Sequence, residues 1–339
     1  DLIECHGAGT PVGDATEVQS LCSLWGSKGW RPGQCAIGSV KSMIGHLLTA
    51  AGAAGMIKTL LALKEQVLPP SLNFERPPEN SPLLNSPFRV QIETAPWPAH
   101  KGHRRRAAVS AFGFGGINGH ILLEEWTGND EHEAKVEPFL SPSGPQAVKT
   151  QDPVSDPKSS PPAVAIVGMA VSFGRGVSLP EFQDISFNGR SVIGDRPKGR
   201  WRSVSDLFDL PADTIPKWGG FMTHLKIGIN EFRIPPKEIP DILPQHLLML
   251  QVAADAMQDA GLSEVIERPN MGAVIGMDFD FEATNFHFRW ALPALVRKWQ
   301  KKHFPKMDEK AVDNWISDLL DTVAPPLTAS RTLGALGGI

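Results

Sequence analysis

Between Thr127 and Pro162 the chain carries Pro138, Pro142, Pro145, Pro153, Pro157, Pro161 and Pro162, many polar side chains and a single aromatic residue, Phe139. A stretch of this composition cannot bury enough apolar surface to offset the entropy of ordering it, so it reads as an extended linker. Both flanks read as globular. The linker therefore divides two blocks, 1–126 and 163–339, within a chain of 339 residues, which is long enough for two cores.

The balance of residue types narrows what those blocks do. A hydrophobic content of 41% and a charged content of 21% are those of an ordinary globular protein. A net charge of -4 and a pI near 6.2 argue against a nucleic-acid binder or a membrane-surface protein. Cys5, Cys22 and Cys35 show no CxxC pairing, which points to a reducing compartment, and we expect a cytoplasmic location. The longest apolar run, Leu47 to Leu63, contains Lys58 and is dense in Ala and Gly, the pattern of a buried, closely packed helix and not of a membrane span. The chain opens directly on Asp1-Leu2-Ile3 with no basic-then-apolar leader, and both ends read as cuts through structured sequence.

In the first block, Leu2-Ile3-Glu4 ends a short strand and His6-Gly7-Ala8-Gly9-Thr10 forms a loop. Asp14 with Glu17 three residues on predicts a capping box, and Val18, Leu21, Leu24 and Trp25 an apolar stripe on the helix that follows. Ala36 to Val40 predicts a strand leading directly into a helix from about Gly45 to Glu65, stopped by Pro69-Pro70. Ala107 to Phe112 and His120 to Glu124 predict strands around a glycine turn. In the second block, strands are expected at Ala163–Gly168 and Met271–Gly276. Helices are expected from Ser178, with Glu181 completing a capping box, to Asn188-Gly189, and from about Pro244 to Ala260 with Gly261 as C-cap. Alternating strands and helices predict an α/β protein.

Three local features of the first block could carry chemistry. They are Glu4-Cys5-His6-Gly7-Ala8-Gly9-Thr10, then Gly38-Ser39-Val40-Lys41-Ser42-Met43-Ile44-Gly45-His46, then Phe112-Gly113-Phe114-Gly115-Gly116-Ile117-Asn118-Gly119. Each has a bland reading when taken alone. A lone histidine such as His6 is usually structural. The glycine turn fits neither GxxxxGK[ST] nor GxGxxG after a strand, so it is no phosphate loop. Cys5 beside His6 suggests a nucleophile pair, but adjacent side chains on an extended chain point apart, which makes Cys5 a packing residue. A zinc site from Cys5, His6 and His46 lacks supporting ligand spacing, and no metal is expected.

Together and in this order, the three features closely resemble the β-ketoacyl synthase (condensing enzyme) family. The resemblance extends over nearly all of 1–126, including Val67-Leu68-Pro69-Pro70-Ser71-Leu72-Asn73-Phe74, a segment without chemistry. Residues 163–339 resemble the family's other half in Val164-Ala165-Ile166-Val167-Gly168-Met169-Ala170, Trp218-Gly219-Gly220-Phe221 and Pro244-Gln245-His246 to Asp259-Ala260-Gly261. The closing Thr328-Ala329-Ser330-Arg331 is similar to the segment shortly before the family's nucleophilic cysteine.

The resemblance implies a thiolase-like fold of layered αβαβα type, with 1–126 the C-terminal half of one synthase domain, 127–162 the linker and 163–339 the N-terminal half of a second. It implies decarboxylative condensation of acyl and malonyl thioesters carried on the phosphopantetheine of acyl carrier protein, with no cofactor bound directly and with dimerisation through synthase domains. His6 and His46 are implied as the donors to the enolate oxyanion, and Lys41 as the group that balances charge and orients them. The Phe114 backbone N–H, with Gly115 allowing close approach, is implied in the oxyanion hole, and Phe112 and Phe114 as gates to the acyl channel. Thr10 is implied to bind the phosphopantetheine arm. None of the three cysteines matches the family's nucleophile.

Some positions depart from the family's pattern. Ala8 stands where a second threonine is usual, Met43 where many modular synthases have Asn, and Leu243-Pro244-Gln245-His246-Leu247 where Asp-Pro-Gln-x-Arg is common. The insertion-like stretch Ala291 to Pro326 carries the basic run Arg297 to His303, which reads as a solvated helix face. Two condensing-type blocks joined only by a linker are similar to the paired domains of polyunsaturated fatty acid synthases and related iterative polyketide synthases. Two alternatives remain: a chain-length-factor-like scaffold in the second or both blocks, and a thiolase acting on coenzyme A thioesters.

Overall fold

A computed structural model describes residues 1–26, 29–100, 102–113, 116–127, 164–174, 178–197, 217–222, 225, 227–228, 231–239, 242, 244–262, 266–276 and 281–323. Residues 128–163, which hold nearly all of the expected linker, Phe114, Gly115, Leu243 and the Thr328 to Arg331 segment lie outside them.

The first block is built on a five-stranded sheet. Its strands are β1 (Leu2–Glu4), β2 (Cys35–Gly38), β4 (Phe88–Val90), β6 (Arg106–Phe112) and β7 (Asn118–Glu124), in the order β4-β2-β1-β6-β7. The first four run parallel, and β7 closes the edge antiparallel to β6. A short ladder of β3 (Val67–Leu68) with β5 (Ala95–Pro96) stands apart. The parallel strands are covered on both faces, whereas the edge strand β7 is mostly exposed. Leu2, Ala36 and Ala107 pack on one side with Ala62 and Leu63 of helix α3 (Ala51–Glu65). Ile3, Cys5, Cys35, Ile37 and Ala108 pack on the other with Leu21 of α1 (Pro11–Trp25). The alternation along each strand follows from the period of two in side-chain direction.

Local signals decide where the helices start. Thr10, not Asp14, is the N-cap of α1, its hydroxyl accepting from the Gly13 N–H with Pro11 at the first helical position. Pro at that position needs no N–H partner, which moves the start four residues earlier than the Asp14–Glu17 pair implied. Asp14 instead accepts from Gly9, and Glu17 faces inward beside Leu21. Leu24 of the expected stripe is 76% exposed, because the Glu17–Leu21 face meets the sheet. The long helix expected from Gly45 is broken: α2 (Lys41–Ile44), then a 3-10 turn at Leu48–Ala50, precede α3. The apolar run is nevertheless a buried helix over most of its length, with Ala51, Ala54, Gly55, Lys58, Leu61 and Ala62 inside.

In the second block, α4 (Leu179–Phe187) is capped by Ser178, which accepts from the Glu181 N–H, and Asn188 and Gly189 end it as expected. A two-residue ladder joins β8 (Gly194–Asp195) to β9 (Trp218–Gly219). Helix α5 (Pro244–Asp259) is followed by Gly261 at a φ of 73°. Helices α6 (Phe281–His303) and α7 (Glu309–Val323) pack through Leu292, Val296, Val312 and Ile316. The basic run is exposed, with Arg297 paired to Asp313 at 2.7 Å. The strands expected at Ala163–Gly168 and Met271–Gly276 are not formed among the described residues. Val164, Val167 and Val274 are exposed there, and an apolar run becomes a strand only when a neighbouring strand takes its N–H and C=O groups.

The two blocks share a core. Val40, Met43, Ile44, Ala54 and Leu61 of the first cluster with Phe173, Phe182 and Ile185 of the second. The Val192 N–H donates to the Met43 carbonyl at 2.9 Å, and the Thr94 hydroxyl to the Phe187 carbonyl. Helix α4 and its flanks therefore back the short helix that carries Lys41.

Candidate functional site

Three motifs far apart in sequence meet because their strands are neighbours. His6 follows the carboxyl end of β1, Lys41 follows that of β2, and Phe112 ends β6. In the order β2-β1-β6 these ends lie side by side, and the carboxyl edge of parallel strands is where α/β sheets place their sites. The His6 and His46 rings stand 5.5 Å apart, edge to face, and the Phe112 ring lies 5.4 Å from His6.

Backbone contacts orient both imidazoles. The Leu48 N–H donates to His46 Nδ1 at 3.0 Å, and the Phe112 N–H to His6 Nδ1 at 3.4 Å. An Nδ1 that accepts leaves the neutral ring's proton on Nε2, so each ring presents an Nε2–H donor. Leu48 presents its N–H from the left-handed region, at a φ of 51°, a strained placement for a branched side chain next to the ring it orients. The loop bearing His6 is held from below: Glu17 accepts from the His6 N–H at 2.7 Å and the Gly7 N–H at 2.9 Å. Gly7 has a φ of 48°, and a Cβ there would lie 2.8 Å from that of Ser39, so only glycine brings the two motifs this close. In the sequence Glu17 reads as a capping residue. The spacing that suggests a cap conceals a carboxylate reaching back to the preceding loop.

Lys41 donates its ammonium to the His6 carbonyl, joining the first two motifs directly. Burial lowers its pKa below the ordinary lysine range, opposed by the charges of Glu4 and Glu17. His6 and His46 are both lowered from the ordinary 6.5, first by desolvation and then by the Lys41 charge. The site thus favours neutral imidazoles beside a cation. Thr10 lies exposed, and its hydroxyl oxygen caps α1 by accepting from the Gly13 N–H. The expected contributions of Phe114 and Gly115 fall outside the described residues.

The three thiols are poor nucleophiles where they sit. Burial, reinforced by Glu17 and Glu4, pushes Cys5 well above its ordinary value, and burial also raises Cys35 and Cys22. Among the described residues no cluster of His, Cys, Asp or Glu could hold a metal ion, and no helix is long and apolar enough to cross a membrane.

Family profiles match most of the chain: β-ketoacyl synthase, C-terminal domain, over 1–75; the ketoacyl-synthetase C-terminal extension over 77–151; and β-ketoacyl synthase, N-terminal domain, over 162–325. The chain belongs to the β-ketoacyl synthase family. In this chain a C-terminal half precedes an N-terminal half. It is 30% identical over 298 residues to a polyunsaturated fatty acid synthase polypeptide of a Thraustochytrium species, covering 87% of this chain and 13% of that protein. It is 45% identical over 147 residues to a phenolphthiocerol/phthiocerol polyketide synthase polypeptide of Mycobacterium tuberculosis, covering 43% of this chain and 10% of that protein. The ketosynthase from module 6 of the bacillaene synthase of Bacillus subtilis is 44% identical over 37% of this chain and 23% of its own, with a TM-score of 0.35. The chain therefore spans a small part of the curated relatives it matches.

Proposed function

We propose that residues 1–126 supply the decarboxylation half of a condensing site in a multidomain fatty-acid or polyketide synthase. The observation that carries this is the pair of backbone-oriented imidazoles, each with its Nε2–H free to donate. When a malonyl thioester loses carbon dioxide, the electrons of the breaking C–C bond form an enolate, and its oxyanion needs fixed donors. His6 and His46 provide them, and the adjacent Lys41 disfavours their protonation while balancing the developing charge. The enolate carbon then attacks the acyl thioester held on a synthase thiol, the C–S bond to that thiol breaks and its thiolate leaves, and the lengthened chain stays on the carrier. Phe112 lines the acyl channel, and the Phe114 N–H, with Gly115, serves the second oxyanion. Thr10 donates to the phosphopantetheine arm of an acyl carrier protein, and the synthase domains dimerise in a soluble, cytoplasmic assembly.

The thiol that holds the acyl chain in this reading is none of Cys5, Cys22 or Cys35, since each favours the protonated form. In a parent synthase, His6→Ala or His46→Ala should lower malonyl decarboxylation by about 100-fold or more, while radiolabelled acyl loading stays measurable. Decarboxylation at the parent rate in either variant removes that histidine from the mechanism.

For the second block we propose a scaffold role like that of a chain-length factor, consistent with Phe173, Phe182 and Ile185 packing behind the Lys41 helix.

A further inference from the structure

Glu4 and Lys58 form an ion pair of 2.9 Å whose side chains are 3% and 2% exposed. Such a pair is a poor device for stability, because the cost of desolvating two charges roughly cancels their attraction. Its connections point elsewhere. Glu4 ends β1, two residues before His6. One carboxylate oxygen takes the Val40 N–H, immediately before Lys41, and the other takes Lys58 on α3, the helix that follows His46. Room for it is built in: a Cβ on Gly55 would lie 2.9 Å from Glu4 Cγ. A single carboxylate thus ties the strand before His6 to the turn before Lys41 and to the helix that follows His46.

We propose that the Glu4–Lys58 pair is the positioning device of this site, fastening the turn that presents Lys41 to the strand that leads into His6 and setting the charge that Lys41 faces. Its catalytic consequence rests on the condensing reading above. The groups facing Lys41 are Glu4 from β1, Cys5 and His6 from the loop after it, Glu17 from α1, His46 and Lys58. Of these, Glu4 is the strongest charge favouring the ammonium, and Lys58 opposes it. The two partners, being of opposite charge, act on Lys41 in opposite directions.

The test needs no substrate. In the 339-residue chain, acetylation of Lys41 across a pH series, read by peptide mass spectrometry, gives the midpoint of its amine. Glu4→Gln should lower that midpoint and Lys58→Met should raise it, each changing labelling at fixed pH by about threefold or more. Breaking a buried pair can unfold a protein, so E4Q/K58M, which keeps the packing without charge, is the deciding variant. A folded double variant with a lowered Lys41 midpoint supports the proposal. An unchanged midpoint, or single variants that shift in the same direction, overturns it. A double variant that fails to fold also overturns it, by showing the pair to be structural. The decarboxylation assay of the His6 and His46 variants tests the condensing reading separately.

Discussion

His6 and His46 share a depressed basicity with one source they have in common, the Lys41 charge, beyond their own desolvation. A histidine whose folded pKa lies below 6.5 binds protons more readily when unfolded, so its share of stability is intact above 6.5 and declines as the pH falls below it. The rings accordingly stay neutral somewhat below the ordinary midpoint. NMR titration of the imidazole carbons should place both midpoints under 6.5, and Lys41→Met should raise both. Midpoints that ignore Lys41 would contradict the electrostatic account. At this scale the chain was readily legible: His6, Lys41 and His46 stand out by residue type and motif. Glu4 and Glu17 did not, because a carboxylate's partners two turns or a strand away leave no local pattern.

Helix α3 shows how an element is tuned to its neighbours. Gly52 and Gly55 face the sheet, where a Cβ would lie 2.9 Å from Ala111 Cβ and from Glu4 Cγ respectively. Alanine at position 55 would gain about 1 kcal/mol of helix propensity, yet crowding a side chain pinned at both oxygens costs about 1–3 kcal/mol. Gly55→Ala should therefore lower the urea midpoint; a variant more stable than the parent would mean that Glu4 yields freely. The apolar, small-residue composition of this helix was visible in the sequence, but its start was not. At the break, Gly45 and Leu48 take positive φ values of 81° and 51° and the Leu48 N–H bonds His46 Nδ1, features that helical periodicity does not signal.

At the scale of the molecule, the shared cluster makes the second block part of the first block's foundation. Phe182, 1% exposed, is central to it. Phe182→Ala should cost about 3–5 kcal/mol and speed hydrogen exchange at Met43 and Ile44, whose N–H groups close the Lys41 turn. If exchange there is unaltered, the blocks fold independently and the scaffold role of the second loses its support.

Motif order and local patterning by themselves pointed to the α/β class and the family and singled out His6, Lys41 and His46 as candidates, because those depend on residue type and on signals within a few positions. The tertiary structure decided the rest: which strand ends adjoin, which face of α1 and α3 turns inward, how Nδ1 of each imidazole is occupied, and where α4 packs. Each of these is a pairing between groups distant along the chain. Its free energy comes from burial and from hydrogen bonds made only once both partners are in place.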